Sequence, residues 1–167
     1  MIDQVWASRA IECCLRHGID HFFLAPGSRC TPLTLAVARV ADQSRANVIQ
    51  HFDERGLAFA ALGYGRATGK PGVFICTSGT AVANAFPAVI ESAMESVPML
   101  LFTADRPPEL RDTGANQTID QQNIFGNYPK LFLDMPAPTD DDLSKTFLAD
   151  SLRNGISNAN HLSLIHI

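Results

Sequence analysis

A chain of 167 residues is long enough for one domain with a hydrophobic core, and its 46% hydrophobic and 18% charged residues exclude a disordered protein. Thirteen Lys and Arg side chains against 17 Asp and Glu side chains give a net charge of -4. The sequence contains no cluster of basic residues of the kind that binds a phosphate backbone, so we expect no nucleic-acid partner.

Helix-like and strand-like segments alternate along the chain. Apolar residues at near-helical spacing predict a first helix over residues 3–17, which Gly18 is suited to end. The compact apolar run at 21–25, bounded by Pro26 and Gly27, predicts a buried strand. Further strands are predicted at 48–52, 73–76, 99–103 and 130–134, and further helices at 32–40, 57–68, 81–94 and 140–156.

Repeated strand, loop and helix units with nearly continuous apolar strands predict a three-layer α/β fold, in which a parallel sheet has helices on both faces. Polar and small residues follow the predicted strands. They are Ser28, Arg29, Glu54, Thr77, Ser78, Gly79, Thr80, Arg106, Asn116 and Gln117. The carboxyl ends of parallel strands share one edge of the sheet, where ligands bind in this architecture, so we expect these residues to converge on one site.

Glu54 lies in the hexapeptide HFDERG at 51–56, where an apolar strand gives way to a helix. That position places its carboxylate at the carboxyl end of a strand and beside the free N–H groups of a helix N-terminus, so Glu54 is a candidate for chemistry. The alternative is a solvated Glu in the first turn that stabilises the helix dipole, and the hexapeptide by itself favours this alternative.

Several classes of site are disfavoured. The four cysteines lack C-x-x-C spacing, which favours buried, reduced thiols over a disulfide framework or a zinc site. The five histidines lack ligand spacing as well, so we expect no metal bound by this chain alone. The chain has no G-x-S-x-G elbow and no Walker loop, and its glycines at 63–69 end a helix instead of following a strand, which argues against a dinucleotide fingerprint.

The N-terminal residues carry no basic segment followed by an apolar run, and no stretch approaches about 18 uninterrupted apolar residues. These two features favour a cytoplasmic protein without a membrane partner. No tail or linker of biased composition divides the chain, so we expect one domain.

The string HFDERGLAFAALGYGRATGKPGVFICTSGTAVAN at residues 51–84 resembles the pyrimidine-binding domain of thiamine-diphosphate enzymes. That family places a Glu after a strand, followed by a helix of small residues, a second strand and a Ser-Gly turn. Five motifs in the right order are similar to a narrower group in the family, the carboligating synthases of menaquinone biosynthesis. The motifs are APGSRCTPLTLA at 25–36, HFDERG at 51–56, TSGTAVAN at 77–84, TADRPPEL at 103–110 and GANQTI at 114–119.

The resemblance implies that residues 1–160 form a thiamine-diphosphate pyrimidine-binding domain. It implies a catalytic and cofactor-binding role for Glu54, whose carboxylate hydrogen-bonds N1′ of the aminopyrimidine so that the cofactor can lose its C2 proton. Thr77, Ser78 and Gly79 are assigned to the same pocket. The Mg²⁺ or Mn²⁺ that holds the diphosphate is implied to lie outside this chain, in the diphosphate-binding domain of another subunit of a homo-oligomer, either a dimer or a tetramer.

The resemblance also implies two substrates. 2-Oxoglutarate loses carbon dioxide, and the remaining succinyl-semialdehyde carbanion adds to isochorismate. Arg29 and Arg106 are then expected to anchor carboxylates, and Ser28, Asn116 and Gln117 to supply polar contacts. The alternative for each Arg is a surface ion pair, and for the two amides a hydrogen bond within a loop.

Residues 161–167 form an atypical C-terminal end that departs from the family pattern and indicates a possible truncation. Because the resemblance places the diphosphate-binding half of the site outside this chain, we expect the chain by itself to be an inactive fragment of the enzyme. Two alternatives stay open. One is a free-standing, non-catalytic pyrimidine-domain protein that binds a partner or a ligand, and the other is a different thiamine-diphosphate enzyme such as an acetolactate synthase, against which Thr80 and the TADRPPEL string argue.

Overall fold

The computed structural model describes residues 2–159 and 164–167. Within these residues six strands form one sheet: β1 to β6 are His21–Leu24, Asn47–Gln50, Gly72–Cys76, Met99–Thr103, Leu131–Phe132 and Leu164–His166. The strand order is β2-β1-β3-β4-β6-β5, and every neighbouring pair is parallel. The helices α1 to α6 are Ile2–Arg16, Thr31–Asp42, Glu54–Thr68, Thr80–Asn84, Phe86–Glu95 and Asp142–Ala159. No helix in the described ranges has the length and apolar character needed to cross a bilayer.

The apolar side chains of the central strands point toward both faces of the sheet. Phe22 and Leu24 of β1 join a buried cluster with α1, α2 and α6, whereas Phe23 between them joins a second cluster with α3, α4 and α5. Successive side chains of a strand point to opposite faces, which explains this division. The three-layer α/β fold predicted from the sequence is confirmed.

The strand order reverses between β1 and β3, which are neighbours in the sheet. The chain passes from β1 through α2 to the edge strand β2, and then returns through α3 to β3 on the other side of β1. The loops after β1 and β3 meet at this reversal, where a Cβ added to Gly27 would stand 2.6 Å from Thr77 Cβ. Open α/β sheets bind ligands at such a reversal, so the candidate site lies here.

Several predicted boundaries differ in the structure, including that of β2, which is Asn47–Gln50 instead of 48–52. The helix predicted over 81–94 is divided into α4 and α5, because Pro87 has no N–H group to continue the first helix and lies instead in the first turn of the second. The strand predicted over 130–134 is reduced to the two residues of β5. Helix α3 begins at Glu54, one turn before its predicted start, because Asp53 caps it.

The predicted atypical end at 161–167 falls partly on residues 160–163, which lie outside the described residues. Its last part forms β6, which lies between β4 and β5. His166 of β6 is 2% exposed, its Nε2 atom lies 2.8 Å from Thr103 Oγ1, and its ring packs against Phe125 and Phe132. Burial lowers the pKa of His166 to about 4, so the ring is neutral at pH 7.

Candidate functional site

Glu54 is the first residue of α3, directly after the edge strand β2 and its short loop. Its neighbour Asp53 caps the helix: Gly56 N–H donates to Asp53 Oδ1 at 2.8 Å, and this bond lowers the pKa of the Asp53 carboxyl. The half-buried Glu54 contacts α4 instead, where Asn84 Nδ2 lies 3.5 Å from Glu54 Oε2. Since Asp53 caps the helix, the carboxylate of Glu54 is left for another role.

The turn Thr77-Ser78-Gly79 follows β3 and is held by a segment that comes later in the chain. Ser78 Oγ donates to the carbonyl of Gln117 at 3.0 Å, and Gly79 N–H donates to Gln121 Oε1 at 3.0 Å. Gly79 has a φ of +83°, and an added Cβ would stand 3.0 Å from the Gln117 carbonyl oxygen, so the turn requires glycine. The buried Thr77 hydroxyl, in contrast, has no hydrogen-bond partner among the described residues.

Ser28 and Arg29 follow β1 and contact the same later segment. Arg29 Nη1 donates to Gln117 Oε1 at 2.9 Å and to Ser28 Oγ at 3.1 Å. Gln117 has a φ of 60°, a left-handed conformation that costs a non-glycine residue about 1–2 kcal/mol. The bonds to its carbonyl and to its side chain hold Gln117 in this conformation. Asn116 beside it is exposed to solvent.

Arg29, Arg106 and Arg111 line a cavity of about 720 Å³ beside these loops, but their partners differ. Arg111 Nη2 lies 3.2 Å from Asp105 Oδ2 and 3.8 Å from Asp134 Oδ2. Among the described residues Arg29 bonds only to neutral groups, and the buried Nε of Arg106 has no hydrogen-bond partner. Arg29 and Arg106 therefore form no ion pair within the described part of the chain, although Asp3, Asp105 and Asp134 line the same cavity, and both guanidinium groups are able to bind an anionic ligand.

The structure brings the loops after β1, β3 and β4 together. Glu54, after β2, contacts Asn84 of α4 and lies near enough to the end of β3 for its charge to add to the effect of burial in raising the pKa of Cys76. Hydrogen bonds link Arg29, Ser78 and Gly79 to the segment 117–121, and Arg106 lines the cavity that Arg29 also lines. Glu54 is not part of the lining of that cavity, because it follows the edge strand β2. The geometry thus forms one cavity in which Arg29 and Arg106 have no ion-pair partner among the described residues and, outside the lining of that cavity, the carboxylate of Glu54 beside α4.

Three features of the site were not predicted from the sequence. Asn84, which contacts Glu54, is the last residue of the TSGTAVAN string, so the motif contained a signal for it. No sequence pattern indicates that Arg111 pairs with Asp105. Gln121 bonds to Gly79 and is 5% exposed, but the neighbouring Gln122 is exposed, so residue type could not have distinguished the two.

The four cysteines all lie within the described residues. Cys14, Cys30 and Cys76 are buried, as predicted, whereas Cys13 is only partly buried. Burial raises the pKa of Cys76, at the end of β3, well above its usual range, which makes it a poor nucleophile. Nowhere in residues 2–159 and 164–167 do three or more His, Cys, Asp or Glu side chains form a group that could hold a metal ion. The polar groups that the described chain offers at the site include a carboxylate, a hydroxyl and two guanidinium groups.

A parallel α/β domain with a carboxylate after its edge strand and a Ser-Gly turn at the strand reversal is typical of one class of cofactor-dependent enzymes. A family model described as thiamine pyrophosphate enzyme, N-terminal TPP binding domain, matches residues 6–124. The chain belongs to this family. The fold and the family resemblance predicted from the motifs are therefore confirmed.

Curated relatives named 2-succinyl-5-enolpyruvyl-6-hydroxy-3-cyclohexene-1-carboxylate synthase match most of the chain. The relative from Rubrobacter xylanophilus is 56% identical over 146 residues, which are 87% of this chain and 25% of that protein. The relative from Salinibacter ruber is 56% identical over 137 residues, which are 82% of this chain and 23% of that protein. The relative from Edwardsiella ictaluri is 46% identical over 164 residues, 98% of this chain and 29% of that protein. The chain spans about a quarter of the length of these relatives.

Proposed function

We propose that this chain forms the pyrimidine-binding part of a thiamine-diphosphate-dependent transferase that decarboxylates 2-oxoglutarate and joins the remaining four-carbon unit to isochorismate. The observation that carries the proposal is the cavity lined by Arg29 and Arg106, neither of which forms an ion pair with a carboxylate in the described part of the chain. The synthase relatives from Rubrobacter xylanophilus and Salinibacter ruber, each 56% identical, support the same class of activity.

Arg29 and Arg106 have the proposed role of binding substrate carboxylates, because both substrates are dicarboxylates. A guanidinium fork donates two parallel charge-assisted hydrogen bonds to a carboxylate, each about twice as strong as a neutral one. Ser28 and Gln117 accept from one terminal nitrogen of Arg29, which orients the fork and leaves its other N–H groups for the ligand. The exposed Asn116 is proposed as a further polar contact.

Glu54 has the proposed role of sharing a proton with N1′ of the aminopyrimidine ring. When bound, thiamine diphosphate supplies the electron sink that decarboxylation requires. The carboxylate of Glu54 is suited to the proton because Asp53 caps α3 and the contact with Asn84 is long, at 3.5 Å. An Asp at this position would reach one methylene less far.

The turn Thr77-Ser78-Gly79 has the proposed role of holding the aminopyrimidine. The buried Thr77 hydroxyl is a polar atom without a partner among the described residues, so a nitrogen-containing ring fits the chemistry of this turn. Ser78 and Gly79 use their polar hydrogens within the chain, and we infer that they shape the pocket more than they bond to the ring.

We further propose that the diphosphate and its Mg²⁺ or Mn²⁺ are held by the diphosphate-binding domain of another subunit in a homo-oligomer. An exposed apolar edge next to Glu54 supports a protein partner: Phe52 is 90% exposed, and Val48 and Ile49 of the edge strand β2 are exposed as well. The same edge favours the second candidate function, a free-standing domain that binds a partner without catalysis.

The test compares this chain with a hybrid in which it is joined to the remaining part of the Rubrobacter xylanophilus relative. We expect the hybrid to consume 2-oxoglutarate in a reaction that depends on thiamine diphosphate and isochorismate, and the chain by itself to consume none. Turnover by the chain without added protein would overturn the proposed division of the site. A folded hybrid that binds thiamine diphosphate and leaves 2-oxoglutarate unchanged would favour the non-catalytic function.

The role of Glu54 is tested in the same hybrid by deuterium exchange at C2 of bound thiamine diphosphate. Glu54→Gln replaces the carboxylate by an amide that cannot share the proton, so we expect exchange to slow by about 10²- to 10⁴-fold. Glu91→Gln makes the same chemical change at an exposed position of α5 and serves as the matched control. Exchange at the parental rate in Glu54→Gln would remove Glu54 from the mechanism.

A further inference from the structure

Gln121 connects the loop after β3 with the loop after β4. Its Oε1 atom accepts a hydrogen bond from Gly79 N–H at 3.0 Å, and its Nε2 atom donates to the Ala104 carbonyl at 2.8 Å. It is the one buried side chain of residues 111–124, all of which the structure describes, and it is 5% exposed. The surrounding protein therefore shields both bonds from competition with water.

The carboxamide of Gln121 lies where the backbone pairing of β3 and β4 ends. The two strands are in register as far as Cys76 and Thr103, and the next backbone bond runs from Ala104 N–H to the Cys76 carbonyl at 3.1 Å. A carboxamide provides one acceptor and one donor, as a peptide group does, so Gln121 extends the pairing by one further step.

We propose that Gln121 is a positioning residue that fixes the distance between the Ser78-Gly79 turn and the loop that carries Arg106. The functional meaning of this distance rests on the proposed function, which assigns the turn to the cofactor and Arg106 to the substrate. Ala104 precedes Arg106 by two residues, and both Arg106 and Gln121 line the same cavity, so a displacement of Ala104 moves the guanidinium. Arg29 is bonded to Gln117 and is expected to keep its position.

The bridge itself is tested in this chain by amide hydrogen exchange measured by NMR. Gln121→Met keeps the length of the side chain and removes both hydrogen bonds, so we expect the Gly79 amide to exchange about tenfold faster. The Ala104 amide, which is bonded to the Cys76 carbonyl, should change less. Gln122→Met makes the same substitution at the adjacent exposed glutamine and is the matched control.

Two results of this exchange experiment would overturn the proposal. An unchanged Gly79 amide in Gln121→Met would show that the bridge does not hold the turn. An equal acceleration of all protected amides would show a general loss of stability instead of a local one.

The positioning role is tested by steady-state kinetics in the hybrid synthase. We expect Gln121→Met to raise the KM for 2-oxoglutarate about tenfold, whereas C2 exchange at bound thiamine diphosphate should slow far less than in Glu54→Gln, since Glu54 is untouched and Ser78 keeps its bond to the Gln117 carbonyl. An unchanged KM in an active hybrid would refute the positioning role. An inactive parental hybrid would count against the proposed function, and the exchange experiment on this chain would still decide whether the bridge holds the turn.

Discussion

His166 makes the stability of this chain depend on pH in a window that can be worked out from the structure. Its ring is 2% exposed, with Phe125 and Phe132 against it and Thr103 Oγ1 2.8 Å from Nε2, while the buried Nδ1 has no hydrogen-bond partner among the described residues. These neighbours are uncharged. Protonation would therefore place a positive charge in an apolar environment without a counter-ion, which is why burial lowers the pKa to about 4.

The sign of the effect follows from the two pKa values. The folded-state pKa of about 4 lies below the ordinary value of 6.5, so the unfolded chain binds the proton more readily. The contribution of His166 to stability is complete above pH 6.5 and is lost as the pH falls from 6.5 toward 4. At about 1.4 kcal/mol per pH unit the total is about 3 kcal/mol, of which about 2.5 kcal/mol is lost between pH 7.5 and 4.5. A typical domain has only about 5–15 kcal/mol in all, so the loss should be easy to measure.

The assay is urea unfolding followed by circular dichroism at pH 7.5 and pH 4.5. His166→Phe keeps an aromatic ring and removes the titration. At pH 7.5 we expect it to cost about 1 kcal/mol, because Thr103 loses its hydrogen-bond partner. The decrease in the free energy of unfolding from pH 7.5 to pH 4.5 should be about 2.5 kcal/mol smaller in His166→Phe than in the parent chain.

The control for this experiment is His17→Gln, which removes an exposed histidine at the end of α1. It should leave the difference between pH 7.5 and pH 4.5 as large as in the parent chain. If His166→Phe keeps that same difference, the acid sensitivity has another origin and the reasoning from burial is refuted.

Two further predictions concern the free energy of unfolding in urea. Gly27→Ala places a Cβ 2.6 Å from Thr77 Cβ and should destabilise the chain by about 1–3 kcal/mol, whereas Gly63→Ala, in α3 with nothing within 4 Å of the new Cβ, should stabilise it by about 0.5–1 kcal/mol. Equal effects would contradict the close contact of the two strand-end loops. Arg45→Ala removes the ion pair between Arg45 and Glu12, whose side chains are 44% and 36% exposed. The substitution should lower the midpoint of urea unfolding only slightly, and 1 M salt should remove most of this effect. A larger loss that salt does not change would contradict this surface assignment.

The central strands could be predicted from the sequence because a strand at the centre of the sheet accepts almost only apolar residues. The apolar runs at 21–25, 73–76 and 99–103 correspond to β1, β3 and β4 within one residue at each end, since strands that are covered on both faces require apolar side chains. The outer strand β5 has two residues and pairs with β6, which lies more than 30 residues later in the chain. Its extent depends on that long-range pairing, so the predicted strand at 130–134 was too long.

The sequence by itself determined which residues follow each strand, and so which could belong to a site, since Arg29, Glu54 and Arg106 all lie within its motifs. Only the tertiary structure decided which of these groups have partners. Asp53 caps α3 in place of Glu54, Arg111 is paired with carboxylates whereas Arg29 and Arg106 are not, and Gln121 is buried whereas its neighbour of the same type is exposed.

The physical reason lies in the range of the interactions. In strands and helices, buried and exposed positions alternate with a short, regular period. This period can be recognised in the order of apolar and polar residues along the sequence. A hydrogen bond such as that from Gly79 to Gln121, 42 positions apart, depends on how the loops of two strands meet, and no local pattern contains that information.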